Sequence, residues 1–204
     1  MQTLYSTRAN LVIGFHGCDK QLAEDIVAGK KEMEPSNNIY DWLGPGFYFW
    51  ENNYQRALLW AEEKAEKSEL IKEPGVLGAV IDLGYCLDLM DSECLTDLKM
   101  AYDVLVESCE KEKIPLPKNE NIGKSTDKLL RKLDCAVIQV AHKLSFDSDG
   151  KQYDSVRGLF TEGGQLYPGS GFASKSHVQI CVCNPNCIKG FFLPRKVNKF
   201  FPVP

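Results

Sequence analysis

The stretch Leu43-Gly44-Pro45-Gly46-Phe47-Tyr48-Phe49-Trp50 decides the fold, read together with Phe15-His16-Gly17-Cys18 upstream. Gly-Pro-Gly marks a turn, because proline fixes φ and glycine tolerates a positive φ. The four aromatic residues that follow favour a strand, where large rings pack well on a pleated surface. Residues 11–17 are apolar up to a terminal His-Gly and predict a second, buried strand. We therefore expect two short strands that each present one side chain to a planar, polar ligand.

Length, charge and composition set the broad class of the protein. The 204 residues, 44% of them hydrophobic, predict a single domain over residues 1–204 with a sizeable core. A net charge of -4 argues against a broad basic surface for duplex nucleic acid. The N-terminus lacks a basic and apolar leader, and no apolar run reaches about 18 residues. We therefore expect a cytoplasmic protein with no membrane partner.

Eight cysteines without a secretory signal predict reduced thiols. Cys181, Cys183 and Cys187 form the tightest group of them. A zinc site would need paired Cys-x-x-Cys units and a fourth ligand, which this group does not supply. The alternation of residues 178–183 favours a strand with Cys181 and Cys183 on one face. We predict no metal site.

Helical and strand-like segments alternate along the chain. Capping residues and apolar spacing predict helices over 19–29, from Tyr54 to about Lys67, from Asp91 or Ser92 to about Lys113, and from Ser125 or Thr126 through Val140. Strands are predicted over 75–89, 155–160, 177–183 and 188–193. Residues 30–42 are expected to form a loop over a cleft. Because helices fill residues 90–150 between strand-rich ends, we interpret that segment as a helical insertion into an α+β fold.

Three of these segments resemble a known enzyme class. His16-Gly17-Cys18 is similar to the His-Gly-Ser/Thr strand end of ADP-ribosyltransferases of the poly(ADP-ribose) polymerase and diphtheria-toxin class. Gly46-Phe47-Tyr48-Phe49 resembles that class's Gly-x-Tyr-Phe strand, and an Ala-rich helix follows in both. Residues 176–182 resemble the strand that carries Glu, Asp or Gln, with Gln179 in that position. The resemblance covers residues 11–65 and 155–195. Small stand-alone members of this class resemble bacterial or phage effectors and the toxins of toxin–antitoxin systems.

The resemblance implies a split two-sheet fold and NAD as co-substrate. It assigns hydrogen bonding of the adenosine ribose to His16 and stacking on nicotinamide to Tyr48. It also assigns hydrogen bonding of the nicotinamide carboxamide to the backbone of Gly17, where the missing Cβ is expected to permit the approach of the ligand. Trp60 is carried over as a second stacking ring, although it lies one residue out of register. These residue types suit a reaction that builds positive charge on a ribose and depends on positioning and electrostatics.

Gln179 departs from the glutamate of the polymerases. A carboxamide can hydrogen-bond a ribose hydroxyl, but it cannot carry negative charge or take a proton from an acceptor. Chain elongation is therefore disfavoured, and transfer of a single ADP-ribose unit is expected. Glu162, in the loop before the Gln179 strand, is the candidate carboxylate for the acceptor.

Several alternatives stay open. Taken singly, His16, Tyr48, Gln179 and Glu162 each have an ordinary structural explanation, so the hypothesis depends on their joint pattern. The acceptor is a protein or an RNA, and a toxin, effector or defence role with an antitoxin or inhibitor partner follows only from the resemblance. A second hypothesis is an NAD or ADP-ribose binding module without catalysis. A third is an interaction protein that acts through residues 90–150.

Overall fold

A computed structural model describes residues 11–121 and 127–203, and these residues form a mixed α+β fold, as the sequence predicts. Its first half contains β1 (Leu11–Asp19), α1 (Lys20–Val27), β2 (Phe47–Glu51), α2 (Tyr54–Ala65), β3 (Pro74–Asp82) and β4 (Cys86–Asp88). Its second half contains α3 (Ser92–Glu112), β5 (Asn119–Glu120), β6 (Leu130–Arg131), α4 (Lys132–Asp149), β7 (Ser155–Phe160), β8 (His177–Val182) and β9 (Ile188–Phe192).

Seven strands form one mixed sheet in the order β4-β7-β8-β2-β1-β3-β9, and β5 pairs with β6 separately. Only two residue pairs, Gly14 with Glu51 and Phe15 with Trp50, join β1 to β2. By contrast, β1 pairs with β3 over nine residues. The expectation of two small sheets is therefore modified, because the main sheet is continuous but has a narrow junction between β1 and β2.

Alternation along β2 sends its side chains to two different environments. Phe49 is fully buried in a cluster with Ile180 and Val182 of β8. Tyr48 and Trp50 point to the opposite face, where they lie beside their β8 partners. One face of β2 therefore belongs to the core, and the other carries the rings that were predicted to meet a ligand.

Helix α1 is capped by Asp19, as the sequence predicts, and α2 is capped by Asn53, one of the two adjacent asparagines expected to do so. The Asp19 carboxylate accepts a hydrogen bond from the Gln21 amide, and the Asn53 side chain accepts one from the Arg56 amide. Helix α2 buries Ala57 completely against the sheet. Small side chains on this face allow the helix to lie close to β1, which brings its polar residues to the β1–β2 junction.

Helices α3 and α4 connect the parallel strands β4 and β7, a connection that always needs a long crossover. They bury Ala101, Val137 and Ile138 in one cluster with Leu87 and Val156 of the sheet. The helical segment 90–150 therefore shares its core with the main sheet.

The prediction for the start of α4 was wrong. The expected cap at residues 125–126 lies outside the described residues, and the helix begins at Lys132. Residues 130–131 instead form β6, which pairs with β5. Asn119 of β5 caps the helix, because its Oδ1 accepts hydrogen bonds from the amides of Leu133 (3.0 Å) and Asp134 (3.3 Å). A cap supplied from another strand leaves no signal in the local sequence.

Candidate active site

A cavity of about 360 Å³ lies beside the β1–β2 junction. The structure brings together there five of the six residues predicted for the site: His16, Tyr48, Trp60, Glu162 and Gln179. They come from β1, β2, α2, β8 and the loop after β7. The predicted loop 30–42 also contributes, since Ser36, Asp41 and Trp42 line the same cavity.

His16 bridges the gap between β1 and β2. Its Nδ1 lies 2.8 Å from the carbonyl oxygen of Tyr48. A carbonyl can only accept, so Nδ1 carries the proton and donates it. Burial lowers the pKa of His16, which keeps the ring neutral. Nε2 therefore bears a lone pair that can accept a hydrogen bond from a ligand hydroxyl.

Gly17 is buried beside His16, and the structure gives a different reason for this glycine from the one predicted. A Cβ at this position would lie 2.2 Å from the carbonyl oxygen of Ala57 and 3.2 Å from a ring carbon of Trp60. The missing side chain therefore permits the close approach of α2 rather than of a ligand. Gly17 is not among the residues that line the cavity. The Ile13 carbonyl accepts a hydrogen bond from the Asn52 amide, so strand alternation turns the peptide groups of Ile13, Phe15 and Gly17 toward the β2 side of β1.

Tyr48 presents its ring to the cavity, while its hydroxyl serves the turn before β2. The hydroxyl donates to the Gly44 carbonyl at 2.6 Å and accepts from the Leu43 amide at 2.9 Å. Burial raises the pKa of Tyr48 far above its usual range. The phenol therefore stays neutral, and the ring face is the part that remains for a ligand.

Two tryptophans adjoin Tyr48 and Gln179. Trp60 of α2 is half-buried, and its ring centroid lies 5.8 Å from that of Trp50. Trp50 lies opposite Gln179 in the β2–β8 pairing and lines the cavity as well. Sequence reasoning missed Trp50, although it lies two residues after Tyr48 and therefore on the same face of the strand.

Gln179 is half-buried at the centre of β8, on the face that carries Cys181. Its amide can donate and accept hydrogen bonds without a charge, so it can fix a hydroxyl but cannot deprotonate one. Gln179 lines the cavity, and its contact with a ligand stays a prediction.

Glu162 is held by Arg56, a residue that sequence reasoning did not select. Arg56 Nη2 donates to Glu162 Oε2 at 3.1 Å, and the two side chains are only 8% and 15% exposed. Arg56 also lies against Trp50, with Cζ 5.6 Å from the ring centroid. The spacing of four residues between Arg56 and Trp60, which places them on one helix face, was the available signal.

Other charged residues near the cavity are paired within the protein. Lys175 Nζ binds Glu63 Oε1 at 2.6 Å, and the Lys175 carbonyl accepts a hydrogen bond from His177 Nδ1 at 2.7 Å. Arg157 forms a partly buried ion-pair network with Glu51 and Asp88.

Cys181 of β8 and Cys183, which follows the strand, form a second cluster outside the residues that line the cavity. Cys183 Sγ lies 3.8 Å from His142 Nε2, and the Cys181 thiol donates to the Gly44 carbonyl at 3.5 Å. Interaction first with Cys181 and then with His142 lowers the pKa of Cys183 to about 5, although burial opposes the shift. In residues 11–121 and 127–203, no group of three or more His, Cys, Asp or Glu side chains is placed to hold a metal ion.

Comparison with known proteins places the chain beside one relative of unknown function. An uncharacterized protein of Methanocaldococcus jannaschii, MJ0359, is 27% identical over 209 aligned positions, which span 91% of this chain and 90% of the relative. No family model matches the sequence, and no solved structure matches it. No helix in the described part of the chain is both long and apolar enough to cross a membrane.

Proposed function

We propose that the protein is an NAD-dependent mono-ADP-ribosyltransferase. The supporting observation is the single cavity that His16, Tyr48, Trp60, Glu162 and Gln179 line together, although they come from five separate segments. The narrow β1–β2 junction also resembles the division of the sheet in the split ADP-ribosyltransferase-like fold.

In the proposed reaction, the bond between C1′ of the ribose and the nicotinamide nitrogen breaks. Nicotinamide leaves with the bonding electron pair, and positive charge develops on the ribose as in glycoside hydrolysis. Tyr48 and Trp60 supply flat apolar surfaces for the nicotinamide, and His16 Nε2 accepts from a hydroxyl of the adenosine ribose. Gln179 holds the nicotinamide ribose so that the acceptor reaches C1′.

The neutral amide of Gln179 favours the transfer of one ADP-ribose unit over the growth of a chain. Elongation needs a ribose hydroxyl to lose a proton, and a carboxamide cannot accept it. The acceptor is a protein side chain or an RNA group. It is either nucleophilic without losing a proton to the enzyme, or it is deprotonated by Glu162. An inhibitor or antitoxin partner and a toxin or defence role belong to this proposal through the resemblance alone.

The same neutral amide favours a second candidate function, a module that binds NAD or ADP-ribose without turnover. Both functions use the same cavity, so NAD binding alone does not separate them. Nicotinamide release does, because only the enzyme cleaves the glycosidic bond.

The test is to incubate the protein with NAD labelled in its adenosine moiety, together with separate protein and RNA pools. Released nicotinamide and label in each pool are measured for the wild type and for Gln179→Ala. Gln55→Ala is the matched control, because Gln55 is exposed on α2. We expect label in one pool with the wild type and the control, and a loss of at least about tenfold with Gln179→Ala.

Binding without nicotinamide release would favour the second function. Wild-type protein that neither binds nor cleaves NAD would contradict both. Equal turnover in Gln179→Ala and Gln55→Ala would exclude Gln179 from the mechanism.

A further inference from the structure

Arg56 has hydrogen-bond donors that the protein does not use. Its side chain is 8% exposed and lines the cavity. Glu162 satisfies Nη2, but Nε and Nη1 have no partner among the residues that the structure describes. A buried polar group without a hydrogen bond is costly, and the cost is greater for a charged one. Native proteins rarely leave such donors unsatisfied, which points to an acceptor group that the cavity takes up.

Trp50 adds a second unused donor at the same place. Its Nε1 is buried and unpartnered within the described residues, and its ring lies against the Arg56 guanidinium. Neighbouring N–H donors from a guanidinium and an indole suit a ligand group with several acceptor oxygens. A phosphoryl group is such a ligand, and the planar fork of arginine binds it through two parallel hydrogen bonds.

We propose that Arg56, oriented by Glu162 and adjoined by Trp50, binds a phosphoryl group of the substrate in this cavity. The proposal rests on the proposed function of the same site, since ADP-ribosyl donors carry a diphosphate. Arg56 lines the cavity, and its buried Nε–H or Nη1–H reaches a phosphoryl oxygen when the side chain shifts on ligand binding while Nη2 stays bonded to Glu162. Glu162 then acts as a positioning residue for Arg56, which differs from the role in activating the acceptor that the sequence suggested.

Two sources of the phosphoryl group share this chemistry. One is the diphosphate of NAD itself, and the other is a phosphate carried by the acceptor. Calorimetric titration separates them with defined probes: NAD, ADP, adenosine, nicotinamide riboside, and inorganic phosphate added to NAD-loaded protein. Adenosine and nicotinamide riboside lack phosphate and report on the rest of the cavity.

The first variant is Arg56→Met, which removes the charge and keeps an unbranched side chain. Since it leaves the buried Glu162 carboxylate unpaired, the double variant Arg56→Met/Glu162→Gln keeps the charge balanced if the single variant fails to fold. Lys175→Met is the matched control. Lys175 is a nearby cation that pairs with Glu63, and both side chains are 40% exposed.

We expect NAD and ADP to bind about ten to a hundred times more weakly to the Arg56 variants, as the loss of a charged hydrogen bond implies. Adenosine and nicotinamide riboside should bind within about twofold of wild type, a difference that general damage to the cavity would not produce. Glu162→Gln should likewise weaken the binding of ADP and leave the binding of adenosine unchanged. The control Lys175→Met should bind all the probes as the wild type does.

If NAD and ADP bind the Arg56 variants normally, but phosphate no longer binds the NAD-loaded protein, the acceptor supplies the phosphoryl group. If the affinities for NAD, ADP and phosphate are all unchanged, the proposal is overturned. Wild-type protein that binds ADP through Arg56 but never cleaves NAD would keep this subsite and reject the transferase. If the Arg56 variants cleave NAD as fast as the wild type and bind ADP equally well, the transferase is kept and this subsite is rejected.

Discussion

The hydroxyl and the ring of Tyr48 have separable roles, and Tyr48→Phe tests this directly. The substitution removes the oxygen that accepts from the Leu43 amide and donates to the Gly44 carbonyl. Gly44 keeps a second donor, the Cys181 thiol at 3.5 Å. Leu43 is fully buried, so its amide loses its acceptor in a place that water does not reach. The cost therefore falls mainly on one unsatisfied buried donor.

Leaving such a donor unpaired costs about 1–3 kcal/mol, and we expect the free energy of unfolding to fall by about 2 kcal/mol. For a chain of this size that corresponds to a decrease in melting temperature of about 4–8 °C. Urea unfolding followed by circular dichroism measures the change, with an unchanged m value as the check on two-state behaviour. Tyr167→Phe is the control, because Tyr167 is 55% exposed. Its stability should stay within about 0.5 kcal/mol of wild type.

Tyr48→Phe keeps the aromatic ring, so the stacking of that ring on a ligand should be unchanged. Below the unfolding transition, we expect Tyr48→Phe to bind NAD within about threefold of wild type, while Tyr48→Ala loses about tenfold or more with the stacking surface. Stability equal to wild type would show that the hydroxyl does not hold the turn. Equal losses of affinity in Phe and Ala would show that the hydroxyl, and not the ring, contacts the ligand.

Three further predictions concern packing, capping and thiol chemistry. Gly17→Ala should lower the free energy of unfolding by about 1–3 kcal/mol, because the added Cβ would press against the Ala57 carbonyl. Gly190→Ala is the control, since a Cβ there meets open space and should leave the stability unchanged. Chemical denaturation of the two variants measures the difference. Asn119→Ala should cost about 1 kcal/mol through the lost cap of α4, and a full-stability variant would contradict that cap. Because the pKa of Cys183 is lowered to about 5, its thiolate should persist when the pH falls from 8 to 6, while an ordinary thiol with a pKa of about 8.5 loses nearly a hundredfold of its thiolate. Alkylation mapped by mass spectrometry should therefore modify Cys183 first at pH 6, and Cys183→Ser should abolish that signal.

Local signals predicted most of the secondary structure, because caps and apolar spacing act within a few residues. Asp19 and Asn53 cap the helices that the sequence assigned to them, and the aromatic strand follows the Gly-Pro-Gly turn as expected. The start of α4 could not be predicted in this way. Its capping group comes from Asn119, which precedes Leu133 by 14 residues and reaches it only through the pairing of β5 with β6.

The candidate site divides in the same way. His16, Tyr48 and Gln179 could be selected from motifs, since each lies on a strand whose pattern is visible in the sequence. For Arg56 the sequence offered only its spacing from Trp60 on one helix face, because its pairing with Glu162 joins residues that are 106 positions apart in the chain. The reason for Gly17 was also misjudged, since the neighbour that a Cβ would strike belongs to α2.

The sequence by itself determined the elements and the chemical types of the predicted site residues, because propensity, capping and strand alternation are local properties of the chain. Only the tertiary structure decided that β1 and β2 separate after two residue pairs. That separation opens the cavity beside His16 and brings the Arg56–Glu162 ion pair to its edge. Such features arise from packing between distant segments, in which the position of each backbone depends on all the others, and no short window of sequence contains that information.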